Sequence, residues 1–233
     1  MRVQKYLSQK GIMSRREAER AIDGGRIRIN GKIIKEMGVL VVPGKDIVEV
    51  ISGVSEAGEE KITVVVYKPR GVVCSENSRE GKTIFEAFPQ YQNLNIVGRL
   101  DKDSEGLILL SNDGVVTSVV TGEEHLVSKE YVVTVREELT PRDIRKMEEG
   151  IFIDGEKTLP ARGELLGPHK FSLILREGRT HQIRRMTDFL RLTVERLVRT
   201  RVGPITLAGL GSGASRILTK EEVANLKALK FAE

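Results

Sequence analysis

The run Gly98-Arg99-Leu100-Asp101-Lys102-Asp103-Ser104-Glu105-Gly106 crowds three carboxylates and two cations between glycines. A calcium loop needs acids in D-x-D-x-[DN]-G spacing and a closing bidentate Glu. Here Glu105 falls at the third ligand position and Asn112 stands where the closing Glu belongs. Arg99 and Lys102 add further positive charge, so calcium binding is not expected. Spacing alone would equally describe a charged loop between strands. The sharper chemistry is a carboxylate nucleophile at a sugar or base carbon, which requires the ionised form. A nearby guanidinium favours that form, and Arg99 is the nearest in sequence.

A second cluster is Arg176-Glu177-Gly178-Arg179-Thr180-His181-Gln182-Ile183-Arg184-Arg185-Met186. On a helix starting at Thr180, Ile183, Met186 and Leu190 share one face. His181, Arg184, Arg185 and Asp188 share another. An ordinary amphipathic helix has the same pattern, and a single histidine is more often a surface residue than a catalyst. In Lys129-Glu130-Tyr131-Val132-Val133-Thr134-Val135, alternation puts Tyr131, Val133 and Val135 on one strand face. Tyr131 is then either a core aromatic or a platform on which an extruded base stacks. There is no G-x-S-x-G, no P-loop and no G-x-G-x-x-G after a strand. Serine-nucleophile chemistry and nucleotide cofactors are therefore not indicated, and no cofactor is expected. His125, His169, His181 and Cys74 are too dispersed for structural zinc, so no metal is expected.

The elements that must position these residues fall into two groups. In residues 1–50, helices at Val3–Lys10 and Arg15–Asp23 are predicted. Ser14 with Glu17 forms a capping box, and Gly24-Gly25 closes the second helix. Arg26–Ile29, a turn at Asn30-Gly31, and Lys32–Lys35 read as a hairpin, with Ile47–Ile51 a further strand. Ser52–Glu60 is polar and aperiodic and reads as a linker. Strands are then predicted at Ile62–Tyr67, Gly106–Leu110, Glu130–Arg136, Lys170–Leu175 and Thr193–Val198. Helices are predicted at Thr83–Phe88, Pro141–Glu149, Thr180–Arg191 and Lys220–Lys230. The expectation is an α+β chain with a small module at 1–51, a linker at 52–60 and a mixed α/β domain at 61–233.

Charge separates along the same lines. The 233 residues carry 38 Lys and Arg against 33 Asp and Glu, a net of +5. Residues 1–50 hold eleven basic and six acidic residues, and residues 176–201 hold eight arginines and three acids. Each segment is thus +5 and the rest of the chain compensates, the footprint expected for a polyanion partner. No apolar run approaches the roughly 20 residues of a membrane span. The N-terminal residues lack a signal-type apolar stretch, and the single Cys74 cannot form an internal disulfide. A reducing cytoplasm is the expected compartment.

Taken in order, these segments resemble a known family. Lys5-Tyr6-Leu7, Ser14-Arg15-Arg16-Glu17-Ala18 and Gly25–Lys32 resemble the S4 RNA-binding domain. Residues 61–233 resemble the catalytic domain of the ribosomal RNA pseudouridine synthases of the small-subunit, RsuA-like branch. The motifs are Tyr67-Lys68-Pro69-Arg70-Gly71, Gly98–Leu107, Lys129-Glu130-Tyr131 and Glu177–Met186. Thr180-His181-Gln182 instead matches the sister branch of large-subunit and transfer RNA synthases, and Leu210–Arg216 also departs from the first branch.

The resemblance implies a mainly antiparallel β-sheet catalytic domain flanked by helices behind the S4 module. It implies that Asp101 is the catalytic aspartate, that Tyr131 stacks on the target uracil, and that Arg184 pairs with the aspartate. Arg15, Arg16, Arg20, Arg26, Lys32, Arg99, Arg179, His181 and Arg185 are the expected RNA contacts. The implied reaction turns uridine into pseudouridine in ribosomal RNA, free or in an assembly intermediate, with no cofactor and with the protein as a monomer. The alternative is a non-catalytic S4-type RNA-binding protein. A sugar-directed glycosidase would need a second separated carboxylic acid, and Asp103 and Glu105 lie too close in sequence to be assigned that role.

Overall fold

The computed structural model describes residues 1–10, 12–13, 15–51, 60–75, 78–122 and 125–231. Ser14, Gly11 and most of the expected linker lie outside the described residues. The N-terminal unit contains α1 (Val3–Gln9), α2 (Arg15–Asp23), β1 (Ile27–Ile29), β2 (Lys32–Ile34) and β3 (Val48–Val50). Its sheet has the order β2-β1-β3 and is antiparallel throughout. Asn30 and Gly31 both have positive φ, as a two-residue hairpin turn with right-handed strand twist requires. Val3, Leu7, Ala18, Ile22, Ile27 and Val41 form the core.

The larger unit is built on one sheet. Its strands are β4 (Thr63–Lys68), β5 (Asn95–Val97), β6 (Glu105–Ser111), β7 (Lys129–Val135), β10 (Arg162–Gly167), β11 (Lys170–Leu175), β12 (Val194–Val202), β13 (Ile205–Thr206) and β14 (Ser215–Ile217). The order is β10-β11-β7-β12-β6-β4-β14, with β13 on β12 and β5 on β6. The β12–β6 contact is parallel, and the other pairs of this sheet are antiparallel. A separate hairpin joins β8 (Phe152–Ile153) to β9 (Glu156–Lys157). The helices are α3 (Ile84–Ala87), α4 (Gly114–Thr121), α5 (Pro141–Glu149), α6 (Gln182–Phe189) and α7 (Lys220–Ala228). The fold is α+β with a mainly antiparallel sheet.

β5, β8, β9, β10, β13 and β14 stand where no strand was expected, and two helices differ from expectation for physical reasons. The valine-rich Gly114–Thr121 is a helix despite its β-branched residues. Asp113 caps it by accepting from the Val115 N–H at 3.0 Å, and Val116, Val119 and Val120 are buried. Tertiary burial overrides the weak propensity. α6 starts at Gln182 rather than Thr180, because His181 takes a left-handed backbone (φ 52, ψ 29) that a helix cannot include.

Two apolar clusters cover one face of the sheet. Val64, Val66, Ile108 and Leu110 pack under Ile84 and Phe88. Val133, Val135, Phe171 and Leu173 pack under Ile144, Met147, Ile183 and Met186 of α5 and α6. Tyr131 touches both clusters. The opposite face, through Val65, Leu107 and Leu109, carries a third cluster with α4 and α7. The N-terminal unit meets the larger one where the Ser118 hydroxyl donates to the Ser8 carbonyl at 3.3 Å, and where Lys61 pairs with Glu17 at 3.5 Å.

Lys129, at the start of β7, is half-buried. Burial first, and the Arg199 guanidinium second, lower its pKa from 10.5 to about 8. Between those values the unfolded chain binds the extra proton, so stability rises with pH across that window. Below pH 8 the cost of burying the ammonium is fully present. Lys129→Met is expected to stabilise the fold at pH 7 and to flatten the rise between pH 8 and 10. Denaturant midpoints at pH 7, 8, 9 and 10 check this.

Candidate active site

Strand register places one row of residues directly opposite one another. Lys68 on β4 faces Gly106 on β6, and Gly106 faces Arg199 on β12. Arg199 faces Tyr131 on β7, and Tyr131 faces Leu173 on β11. Directly paired residues share a sheet face, so this row lies on the face covered by the two clusters that meet at Tyr131. At about 4.8 Å per strand, Lys68 and Arg199 lie roughly 10 Å apart along the row, and Tyr131 one strand further. The loop 98–104 feeds directly into the row through Glu105 and Gly106.

Two cations in the row hold that loop from below. Lys68 is fully buried, and its ammonium donates to the carbonyls of Val72 at 2.7 Å, Pro69 at 3.0 Å and Lys102 at 3.4 Å. Burial lowers its pKa, while Cys74, Asp101, Glu105 and Asp103 act in the opposite sense. Arg199 is 5% exposed. It donates from Nε to the Leu107 carbonyl at 2.7 Å and from its terminal nitrogen to the Arg99 carbonyl at 3.2 Å. Both cations grip carbonyl oxygens, which satisfies their donors while leaving their charge directed at the loop. The Gly71 N–H donates to the Lys102 carbonyl at 2.8 Å, completing the grip. Gly106 is required by this closeness. A Cβ there would lie 2.3 Å from the Arg199 carbonyl oxygen, and its φ is +112.

Asp101 sits at the top of the loop with a side chain 37% exposed. Its Oδ2 lies 3.3 Å from Nδ1 of His181, whose left-handed backbone brings the imidazole over the loop. Arg184 does not take the expected place against Asp101. It donates to the Asp103 carbonyl at 3.2 Å and meets the Ser104 hydroxyl at 3.5 Å, bracing the loop two to three residues further on. Tyr131 is half-buried between the two clusters.

The expected RNA contacts divide. Arg15, Arg20 and Lys32 are exposed and Arg26 is half-buried, on the N-terminal unit. The Arg16 side chain lies outside the described residues. Arg99 is exposed beside Asp101. Arg179 and Arg185 are instead engaged within the protein. Arg179 donates to Glu177 at 3.1 Å, to the Lys157 carbonyl at 2.9 Å and to the Glu156 carbonyl at 3.2 Å. Arg185 pairs with both oxygens of Asp154, one at 2.8 Å. Together they fasten the β8–β9 hairpin to the start of α6, where a fork of donors finds fixed acceptors. Gln182, buried, closes the same turn by accepting from the Arg179 N–H at 3.1 Å and donating to Glu177 at 2.7 Å.

Sequence reading passed over three groups. Lys68 stood within a motif without a role. Arg199 counted only as one of eight arginines and fell just past the expected strand Thr193–Val198, with no local pattern to mark its place. The third is a cluster on the opposite face. There Arg196 pairs with Glu105 at 2.6 Å, and Tyr67 donates to Glu105 at 3.4 Å. Burial raises the Tyr67 pKa.

Comparison with known proteins identifies relatives of the whole chain. Residues 62–188 match the RNA pseudouridylate synthase family and residues 1–47 match the S4 domain. A ribosomal large subunit pseudouridine synthase B of Bacillus subtilis (strain 168) is 36% identical, covering 98% of this chain and 96% of the relative. A dual-specificity RNA pseudouridine synthase of Escherichia coli (strain K12) is 36% identical, covering 97% and 78%. A ribosomal small subunit pseudouridine synthase A of Haemophilus influenzae is 33% identical, covering 97% and 99%. A crystal structure of a pseudouridylate synthase superposes with a TM-score of 0.71 at 31% identity, covering 97% of this chain and 99% of that one. At these identities, and over nearly the whole of both sequences, the chain belongs to the RNA pseudouridylate synthase family.

Proposed function

We propose that this chain isomerises a uridine of ribosomal RNA to pseudouridine, with Asp101 as the catalytic carboxylate. The observation that carries the reading is the half-exposed Asp101 on a loop gripped from below by Lys68 and Arg199, in register with Tyr131. An oxygen pair able to reach a substrate, on a backbone that cannot drift, is what attack or proton abstraction requires. The relatives that act on ribosomal RNA support the substrate class.

The reaction is balanced without redox change. The bond from sugar C1′ to uracil N1 breaks, the base turns, and a bond from C1′ to C5 forms. The proton leaves C5 and N1 regains one. Asp101 either attacks the base or sugar or abstracts a sugar proton, and both roles need its ionised form. Extruding the uridine costs a few kcal/mol, and stacking on Tyr131 recovers part of it. Arg184 holds the loop end at Asp103 and Ser104. The exposed basic residues Arg15, Arg20 and Lys32 of the N-terminal unit, a module we place at 1–51, hold phosphates, and Arg99 meets the RNA beside the target. One chain supplies the whole row, which supports action as a monomer. Action on ribosomal RNA, free or in an assembly intermediate, supports a cytoplasmic site of work. No described helix is long and apolar enough to cross a membrane.

Tritium release from RNA labelled at uracil C5 tests the reading. Wild type is expected to release tritium, and Asp101→Asn to release none while still binding RNA. Tight binding with no release by wild type would favour a non-catalytic RNA-binding protein.

Tyr131→Phe keeps the ring and is expected to keep measurable release. Tyr131→Ala loses a stacking contact of about 1–3 kcal/mol, roughly a 5- to 150-fold drop. Equal rates for the two variants would remove the platform role.

Arg199→Met removes the donors to the loop carbonyl of Arg99 and to the β6 carbonyl of Leu107. At about 1.5–3 kcal/mol per bond to a charged group, kcat is expected to fall at least tenfold. Arg199→Lys, which keeps the charge and one donor, is expected to recover part of the loss. Single-turnover kinetics on folded variants checks this.

A further inference from the structure

We propose that a cavity of about 380 Å³ at the β10–β11–β12 end of the sheet is a phosphate site for the RNA backbone, formed by Arg162, Arg176 and Arg201. This rests on the RNA-directed reading above and adds a contact that lies outside the catalytic row. A second cross-strand row carries it. Arg201 on β12 faces Glu130 on β7, Glu130 faces Ile174 on β11, and Ile174 faces Arg162 on β10. Arg176 follows the last residue of β11 and lines the same hollow. Two arginines from strands β10 and β12, and Arg176 just past the end of β11, thus line one hollow.

Converging like charges cost free energy unless an anion compensates them. Glu130 in the row pairs with Arg201 Nε at 2.8 Å and offsets that charge, but no carboxylate lines the cavity beside Arg162 and Arg176. Arg201 is further fixed by the Ser128 hydroxyl at 3.2 Å and the Gly203 carbonyl at 2.9 Å. Its orientation is therefore set before any ligand arrives. Arg162 and Arg176 are exposed and free to close on an anion from either side. Pro160, Ala161 and Ile174 supply apolar walls, which weaken solvent screening of the guanidiniums. Guanidinium forks around a walled hollow match the oxygens of a phosphate diester.

The position favours RNA over a small free anion. Glu130 directly precedes Tyr131, so the arginine row is the neighbour of the catalytic row and points to the other side of the strands. Ser128, just before β7 and three residues from Tyr131, lines the cavity, so the two rows are joined at that end of the strand. The cavity then anchors the flanking backbone and leaves the chemistry to the first row.

The test uses the full-length protein, an in vitro ribosomal RNA transcript labelled at uracil C5, and the double variant Arg162→Gln/Arg176→Gln. Loss of one or two phosphate contacts is expected to flatten the log Kd against log salt slope by about 0.7–0.9 per contact. The KM for the transcript is expected to rise about tenfold. Arg142→Gln/Arg145→Gln, which removes the same charge from exposed positions of α5, is the charge-matched control and is expected to leave the slope unchanged. Equal slopes for the two double variants, or a slope like that of wild type, would overturn the proposal. So would thermal protection of wild type by millimolar inorganic phosphate with no effect of the variants on RNA, which would assign the cavity to a small anion. Should the double variant not fold, Arg176→Gln alone reads the same slope. Wild-type tritium release on the same transcript reports separately on the catalytic reading.

Discussion

Lys68 and Arg199 are cations buried against carbonyl oxygens, and the site depends on that choice of partner. Taking a charge out of water costs several kcal/mol, which a carboxylate partner could offset. Had carboxylates been adjacent, the charges would cancel and the cations would contribute packing alone. Held by the carbonyls of Arg99, Lys102 and Leu107, they do two things at once. They clamp both ends of the loop that presents Asp101, and they leave a positive field under it. The carboxylates of Asp101, Asp103 and Glu105 support the charged form of Lys68 in return. The loop and the cations therefore stabilise one another, and neither would be tolerated alone.

The sheet makes this arrangement possible by crossing strands in an unusual way. β12 meets β6 in parallel while its other neighbours run antiparallel. The contact is so close that position 106 has no room for a Cβ. The approach brings the Arg199 side chain under the loop that ends at Glu105. On either side of this seam the same sheet face is sealed by a separate apolar cluster. The gap between the clusters is where polar groups can emerge, and Tyr131 stands at its edge, touching both. A single continuous core would have left no such opening.

Sequence alone made much of this legible, and the limits have identifiable causes. Asp101, Tyr131 and the start of α6 stand in segments whose residue types are odd for their surroundings. An acid-rich turn between glycines and an aromatic in a valine strand are visible without coordinates. Most strands and helices follow from periodicity and caps. Gly114–Thr121 escaped because its valines speak for a strand while burial decides for a helix. The partnership of Asp101 with His181 spans eighty residues and turns on one left-handed backbone at a non-glycine position, which no local pattern announces. Arg199 was invisible for a different reason. Its role exists only through register, and register depends on which strands meet.

Charge counting shows the same limit from the other side. The segment 176–201 looks like a basic surface when its arginines are summed. In the fold, Arg179 and Arg185 hold the β8–β9 hairpin, Arg184 braces the loop, and Arg199 lies beneath it. Arg196 and Arg201 are paired with Glu105 and Glu130. Much of the positive charge is therefore spent on building the site, and less of it remains to attract RNA at long range. The guanidinium is suited to this double use because its planar fork can satisfy several acceptors while retaining its charge. A lysine in these places would hold fewer carbonyls and carry a charge that burial can remove, as the lowered values of Lys68 and Lys129 illustrate. Arginine-rich segments in a nucleic-acid enzyme are thus as much scaffold as surface, and only the fold distinguishes the two.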